Sequence, residues 1–343
     1  KESTINLDEG FGIQLSINSI FILNKIKFNQ LNKNEKYHPL KLDFYSINFN
    51  KICDLDLTMF NSLNEKYTTL QRSVLINFLK ENLLSNSIIY RKKINKVEQK
   101  NKKINIFFTD GSFDEVDYLI VSDGVFSKTK SIIENKIFKP IYFKSIAIRT
   151  LIKAKEIFNF DCSNISLIMG SNAHLVLYPI NQNQELNLVS IIRKKSENNG
   201  DIKKILENTI FKENRNLTSF FKGNLKSWPI YISEKPYKSI YKNVFYIGDA
   251  FYTFPPSMAQ GASQAIEAAN EIYDLIKNNH SDPYNKYFIN RKIRTNVINR
   301  RSKFNYFIFH IRNSLFRILR NKILKILVKN KKFIRSYLGK IYQ

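Results

Sequence analysis

The chain has 343 residues, 43% of them hydrophobic and 13% aromatic with 27 Phe and 18 Tyr, which excludes disorder and a minimal disulfide scaffold and allows two domains. Its formal charge of +26 would suit nucleic acid or an anionic membrane; yet Lys, Asn and Ile are abundant throughout and Gly is scarce, so the charge reads as compositional bias outside residues 291–340, and no nucleic-acid partner is expected. Cys53 and Cys162, without a CxxC or His cluster, fit a reducing cytoplasmic setting rather than a disulfide framework or a zinc site, and no uncharged apolar run of membrane-spanning length occurs.

Residues 16–25 place Ile17, Ile20, Phe21 and Leu23 near helical spacing, with Ser16 as a candidate cap. Residues 41–49 and 52–57 alternate loosely and read as paired strands. Residues 69–84 carry Leu70, Val74, Leu75, Phe78 and Leu79 on one helical stripe that begins near Arg72. From residue 87 the pattern turns to strands: 88–90, 93–99, then 104–109 and 113–117 about an Asp110-Gly111 turn. Residues 118–121 are a fully apolar run, suited to a parallel strand buried on both faces, that ends in Ser122-Asp123-Gly124.

The runs 145–152, 165–169, 174–179 and 186–193 read as an antiparallel sheet. Residues 201–222 read as a helix, 244–247 as a short buried strand, 259–277 as a long helix and 283–341 as almost continuous helix. Alternation puts His174, Val176 and Tyr178 on one face of their strand.

The segment with the strongest chemical signal starts where Val244-Phe245-Tyr246-Ile247 runs into Gly248-Asp249-Ala250. At the end of a buried strand, Gly allows close approach of a ligand to the backbone, and Asp can accept hydrogen bonds from sugar hydroxyls. Pro256 follows, then Gln260-Gly261-Ala262 at the start of a helix, whose first-turn N–H groups and dipole favour negative charge. By itself Gly-Asp is an ordinary strand-turn-helix unit with Asp249 as a cap. The whole string, through Ile266-Glu267 to Ala269, carries more: residues 248–269 resemble the flavin-binding segment of the single-component flavoprotein aromatic hydroxylases, the group of salicylate and para-hydroxybenzoate hydroxylases.

Three further segments resemble that family in order. Asp123-Gly124-Val125-Phe126-Ser127 is similar to its Asp-Gly motif, Glu9-Gly10-Phe11-Gly12-Ile13-Gln14-Leu15-Ser16 to the stretch after its second strand, and Arg72 to its flavin-contacting arginine. The resemblance implies an α/β (mixed α+β) architecture: a Rossmann-like FAD-binding domain split over residues 1–135 and 236–280, an antiparallel-sheet substrate domain at 136–235, and basic C-terminal helices at 281–343. Two departures stand out. The family's Gly-x-Gly-x-x-Gly unit would precede Lys1, so the chain is expected to lack the first βαβ element and to hold FAD weakly alone. Tyr252 and Lys130 replace the family's usual His and Arg, which leaves the choice of NADH or NADPH open.

The implied activity is hydroxylation of a phenol-like ring with O2 and NAD(P)H through a flavin C4a-hydroperoxide. FAD would be held by Arg72, Asp123, Gly124, Gly248, Asp249, Pro256, Gln260, Gly261 and Ala262. His174 and Tyr178 are the candidate catalytic residues and Arg149 the candidate substrate anchor; no metal is expected. The chain would work as a monomer or homodimer, in the cytoplasm or at a membrane periphery reached through its basic C-terminal helix. Alternatives are a ubiquinone-precursor hydroxylase at a membrane surface, an inactive flavin-fold protein, and a basic nucleic-acid-binding protein.

Overall fold

Apolar alternation between residues 141 and 193 assembles the largest element of the fold. In the computed structural model, which describes residues 11–84, 87–157, 160–198 and 200–342, a seven-stranded sheet has the order Lys226–Ile232, Ile141–Lys153, Glu185–Arg193, Ala173–Pro179, Ile165–Met169, Lys41–Ser46, Lys51–Asp56. Neighbours are antiparallel except for Ile165–Met169 beside Lys41–Ser46, which run parallel. The expected strands are thus present, and the pair at 41–56 extends the same sheet. Its members therefore come from both sides of residue 136.

The two faces of this sheet have different work. Ile146, Ile148, Leu175, Leu177, Leu188 and Ile192 point into a core closed by Leu206, Ile210, Leu217 and Phe220. The segment that closes it is not the single helix expected at 201–222. It divides into Ile202–Asn208, Ile210–Glu213 and a 3-10 stretch Arg215–Phe221. Thr209 leaves helical space at φ −123°, ψ −84°, and Asn214 caps the last piece by accepting from the Asn216 N–H while donating to the Ile47 carbonyl at 2.8 Å. The opposite face carries Arg149, His174, Val176, Tyr178 and Asn187. There Tyr178 packs with Ile180, Met258, Ile298, Ile341 and Tyr342.

A second, smaller layer holds the motif segments. Leu119–Val121 pairs in parallel with Val244–Tyr246, in keeping with the parallel strand expected at 118–121. Burial on both faces is not seen: Val121 is 3% exposed but Ile120 is 46% exposed, because no described layer covers its side. Ile94–Lys100, Lys103–Phe108 and Phe113–Val116 form the expected antiparallel meander. Residues 88–90 are not a strand, and the chain leaves the extended path at Arg91, whose φ is +58°.

Gly12 fastens the two layers. Its N–H donates to Asn187 Oδ1 at 2.7 Å, and a Cβ there would stand 2.6 Å from the Asn187 Cβ, so only Gly lets the strand Gly12–Leu15 approach the large sheet this closely. Glu9 and Gly10, the other half of that motif, lie outside the described residues. At the C-terminus the near-continuous helix is interrupted after Pro283–Phe309 and again after Ser314–Leu327. Asn313 caps the second helix by accepting from Leu315 and Phe316, and Asn330 restarts the chain by accepting from Phe333.

Candidate active site

The parallel strand Val244–Tyr246 delivers the chain to Gly248, whose φ of +55° is costly for any residue with a Cβ. The turn folds on itself, with the Phe251 and Tyr252 N–H groups both donating to the Gly248 carbonyl at 3.1 Å. A second turn, in which Ala259 donates to the Pro256 carbonyl at 3.0 Å, leads into the helix Gly261–Lys277. No side chain caps this helix, and a Cβ on Gly261 would meet nothing within 4 Å. An open helix start presents N–H donors and the positive end of the dipole to whatever lies before it. A crevice lined by Gly248, Asp249, Gly261, Gln264, Arg291 and Thr295 among others lies against the first turns of this helix. Asp249 keeps contact with solvent there, although the surrounding protein desolvates its carboxyl and raises its pKa.

The remaining motif residues support the crevice from behind. Gln260 is buried and donates through Nε2 to Ser16 Oγ at 2.9 Å, and Ala262 packs beside Leu15, Ile20 and Leu23. Ser16 does begin the helix Ile17–Asn24, but its hydroxyl does not cap it; the hydroxyl bonds Ser263 Oγ at 3.1 Å and Asn18 Oδ1 at 2.5 Å instead. Ser19 adds a contact to Ser263 at 3.0 Å, and Asn18 donates to Glu267. Glu267 in turn accepts from Arg291 at 2.9 Å and from Arg294 at 2.7 and 3.1 Å. Burial works against its charge, but Arg294 and Arg291 hold the carboxyl below its ordinary range. Glu267 belongs to the motif, whereas its arginine partners, 24 and 27 residues further on, carry no local signal.

Asp123 and Gly124 make a turn away from this crevice. Asp123 accepts from Ser127 Oγ and, at 3.0 Å, from the Thr129 N–H, at the start of the helix Lys128–Ile133. Lys130 is 1% exposed, donates to the Ala250 carbonyl at 3.0 Å and lies 3.8 Å from the centroid of Tyr237. Desolvation lowers its pKa to about 8. The Lys that stands where the resemblance has Arg is therefore a buried tie between the Asp-Gly turn and the Gly248–Ala250 turn. Tyr252, where the resemblance has His, is buried and accepts from Asn299 Nδ2 at 2.7 Å.

On the sheet, Arg149, Tyr178 and Arg72 are electrostatic neighbours. The Arg149 pKa is lowered by burial, and its Nε is buried with no hydrogen-bond partner among the described residues, while the guanidinium lies 5.9 Å from the Trp228 ring. Arg72 is exposed at the first position of the helix Arg72–Glu81. Burial raises the Tyr178 phenol well above its usual range, against Arg149 and a hydrogen bond with Gln14. His174 lies elsewhere on the face: it is 2% exposed, its Nδ1 is 2.9 Å from His310 Nε2, and its ring packs on Phe309. Desolvation lowers its pKa to about 3. It does not line the Gly248–Gly261 crevice.

This architecture is the fold of the flavoprotein hydroxylases. It superposes on Klebsiella pneumoniae HpxO, solved with FAD and uric acid, with a TM-score of 0.83 at 14% identity over 99% of this chain and 88% of that one. Against a salicylate hydroxylase substrate complex the TM-score is 0.80 at 15% identity, covering 96% and 87%. Residues 116–339 match the squalene epoxidase family, and the chain belongs to that family. A curated relative, 3-amino-4-hydroxybenzoate 2-monooxygenase of Streptomyces cremeus, is 24% identical over 217 residues, 61% of this chain and 54% of that protein. The chain thus spans about half the length of this relative.

Proposed function

We propose that the protein is an FAD-dependent monooxygenase that places one atom of O2 on the ring of a small aromatic substrate, with NADH or NADPH as reductant. The observation that carries this reading is the uncapped helix start at Gly261, which opens with Gly248 and Asp249 onto one crevice and has room where a side chain would stand. Bound there, FAD supplies the redox chemistry, moving electrons from the nicotinamide to O2 and oxygen to the ring.

The protein's own groups do the rest. Asp249 offers an acceptor for sugar-alcohol hydroxyls, and the Gly261 and Ala262 N–H groups favour negative charge at the helix start. Arg72, exposed at its own helix start, adds a cation on the flavin side. In this reading residues 1–135 and 236–280 serve the flavin, apart from the strands Lys41–Ser46 and Lys51–Asp56, which join residues 136–235 in the sheet that serves the substrate.

Arg149 and Tyr178 form the substrate wall. An unpartnered guanidinium nitrogen beside a phenol held protonated by burial suits an anionic substituent on the ring, such as a carboxylate. His174, neutral and committed to His310, orders the sheet face rather than moving a proton. Substrate-stimulated NAD(P)H oxidation with added FAD tests the reading across neutral phenols and aromatic acids. Arg149→Met is expected to raise KM for the acids at least about tenfold and to leave neutral phenols unchanged. Absence of any flavin spectral change on mixing, or retention on nucleic acid that falls steeply with salt, would contradict it.

A further inference from the structure

The single tryptophan of the chain, Trp228, stands beside Arg149 on the large sheet. In the antiparallel pairing of Ile141–Lys153 with Lys226–Ile232, Trp228 lies opposite Ala147 and Lys226 opposite Arg149. Side chains two residues apart share a face of a strand, so Trp228 and Arg149 project to the same side, the side of Tyr178. The guanidinium is 5.9 Å from the indole centroid. Lys226–Ile232 is the edge strand of the sheet, and 42% of Trp228 is exposed. Its aromatic neighbour is Phe11, edge-to-face at 5.5 Å. Phe11 leads into Gly12, which is fastened to Asn187, and its carbonyl accepts from the Arg72 N–H at 2.9 Å. Trp228 therefore sits at the seam between the two layers.

The two side chains have complementary unmet requirements. The Arg149 Nε is buried without a hydrogen-bond partner among the described residues, and the groups that act on its charge, Tyr178 and Arg72, include no acid. A buried guanidinium donor without an acceptor is unfavourable, and an anion that supplies one removes the deficit. The indole beside it is a large, rigid apolar surface left open to solvent, suited to a flat ring. A ring and a carboxylate joined by one bond are an aromatic acid. A neutral phenol would use the indole and leave the guanidinium unmet; an aliphatic acid would do the reverse.

We propose that Trp228 selects the substrate's ring: an aromatic carboxylate lays its ring against the indole while Arg149 takes the carboxylate. The inference rests on the monooxygenase reading and deepens it, by naming the side chain that separates aromatic acids from other anions.

Because the chain has one tryptophan, its emission reports on this position alone. The whole protein, with and without FAD, is titrated with benzoate, 4-hydroxybenzoate and, as their non-aromatic match, cyclohexanecarboxylate. A saturable change in emission is expected with both aromatic acids, at a Kd at least about threefold below that for cyclohexanecarboxylate. Arg149→Met is expected to weaken binding of the aromatic acids at least about tenfold. Calorimetry extends the comparison to variants without the fluorophore. Trp228→Leu is expected to bind the aromatic acids roughly three- to tenfold more weakly and to lose the preference over cyclohexanecarboxylate, and Trp228→Phe to restore it.

Circular dichroism checks that each variant keeps its fold. No saturable emission change, equal affinity for aromatic and alicyclic acids, or a folded Trp228→Leu that keeps the preference overturns the proposal. Emission that saturates with benzoate while no aromatic is hydroxylated supports the subsite and defeats the monooxygenase reading. Hydroxylation by Trp228→Leu with the parent's KM for aromatic acids defeats the subsite alone.

Discussion

Arg294 grips Glu267 with both ends of its guanidinium, Nε to Oε2 at 3.1 Å and Nη2 to Oε1 at 2.7 Å, and it also donates to the carbonyls of Lys340 and Ile341. One side chain therefore joins the helix that opens at Gly261 to the last described turn of the chain. Arg291 completes the arrangement with ion pairs to Glu267 and Glu271.

Because these groups are largely buried, removing the shared acid leaves guanidinium charge without compensation. Glu267→Ala is expected to lower stability by roughly 3–5 kcal/mol, more than a surface ion pair could account for. Urea denaturation at neutral pH measures it. A loss below about 1 kcal/mol would show that the network contributes little.

The His174–His310 pair gives the protein an acid-sensitive joint. An unfolded His takes up its proton near pH 6.5, whereas folded His174 resists until about pH 3 and His310 is lowered too, by burial first and then by His174. Below pH 6.5 the unfolded chain therefore binds more protons than the folded one. The joint's full stability is present above pH 6.5 and is lost as pH falls toward 3. Two such groups contribute a slope of up to about 2.7 kcal/mol per pH unit. Denaturation at pH 7 and pH 5 should show the loss, and His310→Gln should roughly halve its slope.

Lys130 occupies a cage set by its own length. With its amine 3.0 Å from the Ala250 carbonyl and 3.8 Å from the Tyr237 centroid, Lys130→Arg, which restores the residue of the resembled motif, overfills the site. A loss of about 1–3 kcal/mol is expected, read as a lowered melting temperature. Unchanged stability with altered nicotinamide preference would instead assign position 130 a direct cofactor contact.

Gly261 separates cofactor binding from folding. Nothing lies within 4 Å of the place a Cβ would take, so Gly261→Val should leave the melting temperature nearly unchanged. The same side chain would project into the crevice, and FAD affinity is expected to fall at least about tenfold, read by flavin fluorescence.

What the sequence disclosed follows the range of the interactions. The strands at 165–193 are legible because short apolar, β-branched runs bounded by turn residues are written locally, and the strand-Gly-Asp turn and the helix after it because each is set by adjacent residues. The breaks at Thr209 and at residues 310–313 were not, since a short polar side chain taking up a backbone group overrides apolar periodicity. Nor could Ile120 be read as exposed from its apolar neighbours, because exposure depends on which layer lies opposite. The partners of His174 and Lys130 are 136 and 120 residues away in sequence, beyond any local pattern. Type and position alone suggest neither partner, and both residues are buried.

The most direct test of the central claim is the fate of oxygen. With FAD, NAD(P)H, isotopically labelled O2 and an aromatic acid, the account predicts a hydroxylated product that carries one labelled oxygen atom, formed in step with nicotinamide oxidation and lost in Gly261→Val. Nicotinamide oxidation that yields only peroxide with every aromatic tested, or product whose new oxygen comes from water, would contradict it.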